Sequence, residues 1–89
     1  MAKINLPIQL VKITREPVVE INASTIEELF LTLIGKYPDL EKRLILPNGD
    51  FNKFVNIFVN EEDIRFLEGK NTSIKPTDEI TIVPAIAGG

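Results

Sequence analysis

The chain has 89 residues, 44% of them hydrophobic and 26% charged, enough for one domain with one modest core. It contains neither cysteine nor histidine, which removes disulfides, thiol nucleophiles, imidazole bases and the usual zinc constellations from consideration. Ten basic residues against 13 acidic ones give a net charge of −3, with the basic ones scattered, so no stripe tracks a nucleic-acid backbone. No apolar run approaches the roughly 20 residues that span a bilayer. The start Met1-Ala2-Lys3-Ile4-Asn5 lacks the continuous apolar stretch of a secretory signal. Solubility and a cytoplasmic location are the expectations.

Ile4, Leu6, Ile8 and Leu10 alternate with polar residues and Pro7, the period of a half-buried strand. Pro7 lacks an amide proton, which suits an edge or a bulge. Thr14-Arg15-Glu16-Pro17 reads as a turn and Val18 to Ile21 as a returning strand, so the first 22 residues read as a hairpin. Ser24 precedes Glu27 at capping-box spacing and opens a predicted helix. Its buried stripe is Ile26, Leu29, Phe30, Leu33 and Ile34, and Gly35 with Tyr37-Pro38 ends it. A short helical turn follows within Asp39 to Leu46, with Leu40 and Leu44 on one side.

Asn48-Gly49-Asp50 is a turn signal, and Phe54 to Val59 reads as a strand. Its residues Val55, Ile57 and Val59 are assigned to the core, leaving Phe54 and Phe58 partly exposed. The turn Asn60-Glu61-Glu62-Asp63 leads into a predicted short strand, Ile64-Arg65-Phe66. Leu67 to Asp78 reads as loop, and Glu79 to Val83 as the last strand, burying Ile80 and Ile82 and turning Thr81 and Val83 outward. Two strands, a helix and three further strands predict an α+β fold of the β-grasp pattern, with a mixed sheet packed against one main helix. Residues 1–84 are assigned to the domain and 85–89 to a flexible tail.

The tail Ala85-Ile86-Ala87-Gly88-Gly89 is the least fold-like segment. Extended, its five residues reach about 17 Å past the last strand at ~3.3 Å per residue, enough to enter another protein's active site. Glycine has no Cβ, so Gly88 and Gly89 pass a narrow channel and leave the terminal carboxylate open to attack. A carboxylate is a poor electrophile until activated, for instance as an acyl adenylate. Sulfide, or a persulfide whose S–S bond a second thiol then cleaves to leave a disulfide, displaces AMP and leaves a thiocarboxylate, with no catalytic side chain required of the carrier. Phe58, Val83, Pro84 and Ile86 are the candidate partner-binding residues, as an apolar patch beside the tail. Asp39, Asp50, Asp63 and Asp78 are too dispersed for a metal site.

The capped helix, Phe54-Val55-Asn56-Ile57-Phe58-Val59-Asn60, Lys75-Pro76-Thr77-Asp78-Glu79 and the ending Ile82-Val83-Pro84-Ala85-Ile86-Ala87-Gly88-Gly89 together resemble the ThiS/MoaD family of ubiquitin-like sulfur carriers. The stretch from Phe54 to Phe66 and the last six residues are most similar to its CysO-type branch, which serves cysteine biosynthesis. The resemblance implies that the protein is not an enzyme and binds no cofactor, and that ATP is consumed by a ubiquitin-activating-like adenylating enzyme acting on Gly89. It also implies a sulfur donor protein and a recipient, either a cysteine-synthase-like enzyme or the large subunit of molybdopterin synthase. A ubiquitin-like modifier joined to lysines is the alternative from another class.

Overall fold

The computed structural model describes residues 1–52 and 55–84. Strands β1 (Ala2–Asn5), β2 (Val18–Ile21), β3 (Val55–Val59), β4 (Glu62–Asp63) and β5 (Glu79–Pro84) form one five-stranded sheet in the order β2-β1-β5-β3-β4. β1 and β5 run parallel and the other neighbours antiparallel. Helix α2 (Ile26–Lys36) packs on one face, and α1 (Ile8–Thr14) and α3 (Glu41–Leu44) add Leu10 and Leu44 to the core. The predicted α+β class and mixed sheet are what the chain forms.

Strand β1 stops sooner than the alternation predicts. Pro7 is the N-cap of α1, and its carbonyl accepts from the amides of Leu10 (2.9 Å) and Val11 (3.1 Å). Proline is tolerated there because the first amides of a helix have no intrahelical acceptor. Leu10 and Thr14 then share the buried side one helical turn apart, whereas Ile8, assigned to the strand face, is 74% exposed. Arg15 ends the helix in the left-handed region, at φ 65°. The antiparallel β1/β2 pair stands, from Ala2 opposite Ile21 to Asn5 opposite Val18, but a helix joins its strands.

Helix α2 is capped one residue later than Ser24. The Thr25 hydroxyl accepts from the Glu28 amide (3.2 Å), and the Glu28 carboxylate accepts from the Ser24 amide (3.1 Å). Glu27, predicted as the box partner, instead faces Lys70 at 3.6 Å. Ile26, Leu29, Phe30 and Leu33 are buried as the stripe requires, Ile34 is partly buried, and Gly35 lies inside the last turn. A 3-10 turn at Pro38–Leu40 leads into α3 and buries Leu40 and Leu44. Phe51 stacks on Phe30 with ring centroids 4.8 Å apart.

In β3, Ile57 and Val59 are buried, Val55 only partly, and Phe54 lies outside the described residues. Residues 64–66 are a 3-10 turn, not a strand, because the Asp63 carboxylate accepts from the Arg65 amide (2.8 Å) and caps a helical start. The returning strand is Glu62–Asp63, two residues earlier than predicted. The 67–78 connection contains a further 3-10 turn, Gly69–Asn71, and buries Thr72 and Ile74. Strand β5 buries Ile80 and Ile82 and continues to Pro84.

Candidate functional site at the end of the last strand

Strand β5, whose Pro84 precedes the sequence Ala85 to Gly89, is held on both sides. β1 pairs with residues 79–81, and β3 pairs with residues 80–84, ending with Val55 opposite Pro84. Its start is fixed by Asn60, whose amide donates to the Glu79 carbonyl (2.8 Å) and whose side chain accepts from the Glu79 amide (2.9 Å). The same side chain donates to Asp78 (2.8 Å), and Asp78 accepts from the Lys75 amide (2.7 Å). Strand and turn are thereby locked in register, so the direction in which the chain leaves Pro84 is set by the sheet.

Directly opposed residues share a face, so the sheet side away from α2 carries two rows near the tail. One runs Val18, Asn5, Thr81, Phe58, Asp63, and the other pairs Val83 with Asn56. Asn5 donates to the Thr81 hydroxyl at 3.4 Å. Val83 is 39% exposed and Phe58 half-buried, and they are diagonal neighbours on this face. Pro84 turns to the other side, where it lines a groove of about 210 Å³ with Leu10, Arg43, Val55 and Ile82. Of the four predicted partner residues, then, Phe58 and Val83 lie together and Pro84 lies on the opposite face. Ile86, Gly88 and Gly89 lie outside the described residues.

One group at this surface escaped the sequence reading. Arg65 donates from Nε and Nη2 to the buried Asp63 carboxylate, the shortest contact being 2.7 Å, and from Nη2 to Asn56 Oδ1 at 3.0 Å. The Arg65 hydrogen bonds hold the Asp63 carboxyl below the ordinary aspartate range against the opposing effect of burial, while Asp63 raises the guanidinium further above its usual value. The two-residue spacing of Asp63 and Arg65 was visible, but a strand reading sends such residues along one extended face and hides the capping geometry. Elsewhere, the Tyr37 hydroxyl donates to Glu16 at 3.0 Å, which raises its pKa. Among the described residues no cluster of acidic side chains has a metal-binding arrangement, and no helix is long and apolar enough to cross a membrane.

A mixed five-stranded sheet grasping one main helix defines a ubiquitin-like β-grasp protein. The chain belongs to the ThiS family, whose model matches residues 4–89. It is 40% identical over 73 residues to the sulfur carrier protein CysO of Mycobacterium tuberculosis, covering 80% of this chain and 78% of that protein. A chain of the Amycolatopsis orientalis BexX/CysO complex matches it with a TM-score of 0.90 and 31% identity, covering 100% of both. The small archaeal modifier protein 1 of Methanosarcina acetivorans matches with a TM-score of 0.87 and 29% identity, over 99% of this chain and 95% of that one. The chain stands among ubiquitin-like sulfur carriers, proteins acted upon by enzymes, and is not itself an enzyme.

Proposed function

We propose that this protein carries sulfur as a thiocarboxylate on Gly89 and delivers it in the biosynthesis of cysteine. A Gly89 carboxylate oxygen attacks the α-phosphorus of ATP within a separate adenylating enzyme, and pyrophosphate leaves. Sulfide then attacks the acyl carbon, the C–O bond to AMP breaks with its electron pair leaving on AMP, and the thiocarboxylate remains. Gly88 gives the enzyme access to this carbon, since a side chain there would narrow the approach. Phe58 and Val83 form the face on which that enzyme rests, with Pro84 and Ile86 continuing toward the reacting end. A sulfur donor protein feeds the second step, and a cysteine-synthase-like enzyme receives the product.

The observation that carries this reading is the 40% identity to a sulfur carrier protein over about four-fifths of both chains. It is supported by a sheet that fixes β5 up to Pro84, leaving five residues beyond it to reach into a partner. The test is intact-mass analysis after incubation with the host's adenylating enzyme, ATP and sulfide. The full chain gains the mass difference between sulfur and oxygen. The chain lacking Gly89, and the Gly88→Phe variant, gain nothing while keeping the wild-type urea midpoint. Sulfur on the truncated chain would sink the proposal.

A second reading is favoured by the 29% identity to the small archaeal modifier protein 3 of Haloferax volcanii over 74% of this chain. Adenylated Gly89 would then be attacked by a lysine amine of a target protein, forming an isopeptide bond with loss of AMP. Lysine conjugates ending in the Gly-Gly remnant, found by peptide mass spectrometry of host extract, distinguish it from sulfur delivery.

A further inference from the structure

The turn that follows β4 presents an arrangement that folding alone does not require. Ile64 anchors it in the core, and Phe66, two residues on, is 82% exposed, the most exposed of the large hydrophobic side chains among the described residues. Leu67 beside it is 37% exposed. This is not a loose segment, for the backbone is fixed at both ends. The Leu67 amide donates to the Ile64 carbonyl (3.0 Å), and the Glu68 amide donates to the hydroxyl of buried Thr72 (3.1 Å). Burying the Phe66 ring would be favourable, and the fold forgoes it.

Arg65 adds the second element. Its side chain is 70% exposed yet immobilised by the Asp63 carboxylate and by Asn56, so most of the entropic cost of ordering an arginine is already met within the monomer. The Asp63 carboxylate is spent inside this pair. Nη1 has no partner among the described residues. Asn56, which Arg65 touches, is the cross-strand partner of Val83, one residue before the last described position. An enzyme that rests on the face of Val83 and Asn56 therefore meets this guanidinium. In the rows Asn56–Val83 and Phe58–Thr81, Arg65 is the cation within reach among the described residues, since Lys3 sits between Glu20 and Glu79 further along the sheet.

The geometry points to Arg65 and Phe66 as a specificity-determining contact for the enzyme that adenylates the tail, engaging a carboxylate and an adjoining apolar pocket on that enzyme. Arginine held in place is a type that dominates binding energy at interfaces, aromatic rings are enriched in their cores, and charge complementarity assigns the carboxylate to the partner. The inference rests on the carrier reading, but it concerns which enzyme is selected and not what Gly89 becomes.

The experiment is carrier-dependent ATP–pyrophosphate exchange by the host's adenylating enzyme, with wild type, Arg65→Ala, Arg65→Lys and Phe66→Ser. For Arg65→Ala and Phe66→Ser the KM for the carrier rises about tenfold with kcat unchanged, as loss of one interface anchor predicts. Arg65→Lys falls between, because an ammonium cannot hold Asp63 and Asn56 through a planar fork. Raising salt weakens wild-type binding several-fold and leaves Arg65→Ala nearly unaffected. Should Arg65→Ala unfold by leaving Asp63 buried and unpaired, Phe66→Ser, which removes an exposed ring, decides the matter alone. No exchange with wild type overturns the carrier reading and this contact with it, whereas exchange with wild-type KM in both variants overturns the contact only. Sedimentation equilibrium showing a wild-type dimer that Phe66→Ser dissolves would assign the surface to a second copy and overturn the enzyme contact.

Discussion

Glu61 occupies a conformation that side chains with a Cβ avoid. It and Asn60 form the two-residue loop between β3 and β4, with φ of 76° and 49°. Such loops match the twist of the flanking strands when both central residues have positive φ, which is why Asn-Gly is the favoured pair. Asn60 is used fully, bonding Glu79 and Asp78, but Glu61 carries a Cβ where glycine fits best. Glu61→Gly is therefore expected to raise stability by about 1 kcal/mol, the cost of a left-handed residue with a side chain. A higher urea midpoint at unchanged slope is the outcome that agrees, and a lower one would show that the Glu61 side chain makes a compensating contact. The helix cap illustrates what residue-level reading lacks. Ser24 with Glu27 and Thr25 with Glu28 have identical spacing, and the choice falls to Thr25 because it bridges Ser73 while the next amide, Ile26, donates to the Thr72 carbonyl at 3.0 Å. That partner lies 46 residues away and leaves no trace in the local pattern.

At the scale of elements, α2 was legible because its apolar positions sustain a 3.6-residue period for three turns, whereas α1 was not. From Ile4 to Leu10 the two-residue period is perfect, yet Leu10 and Thr14 equally satisfy a helical turn, and seven residues are too few for periodicity to separate the two. Pro7 is what separates them, supplying a fixed φ of −72° and a carbonyl free to accept from the first turn. The consequence is measurable. In a strand, Ile8 and Leu10 would be equally buried. In the helix, Leu10→Ala removes a buried side chain and costs about 2–5 kcal/mol, while Ile8→Ala stays within about 0.5 kcal/mol. Equal losses in urea unfolding would contradict the helix. The same limit hid Arg65, since the three residues Ile64-Arg65-Phe66 cannot declare themselves a 3-10 turn until Asp63 is seen to cap it.

Across the whole molecule, the order of elements sufficed for the fold class, because two strands, a helix and three strands bury one face of one sheet in few ways. What it did not reveal is which side of the sheet each candidate residue meets. That follows from register: Asn56 opposite Val83 and Phe58 opposite Thr81 place Phe58 and Val83 on the face away from α2, about 7–8 Å apart as diagonal neighbours, and send Pro84 to the other side. Among the described residues the partner surface predicted from the sequence is thus divided by the sheet, with Phe58 and Val83 together on one face and Pro84 on the other. Val83 tests this division well because it is exposed, lies one step from the end of β5 and contributes nothing to the core. Val83→Asp puts a charge where an apolar contact is proposed, so the KM for the carrier in ATP–pyrophosphate exchange should rise about tenfold, with unfolding free energy within about 1 kcal/mol of wild type. Ile82→Ala, one residue earlier and pointing inward, should do the opposite, costing about 2–5 kcal/mol of stability while the folded fraction keeps a near-normal KM. If the two variants failed to separate in this way, the outer face would not be where the enzyme rests, since the register turns Val83 outward and Ile82 inward on adjacent positions of the same strand.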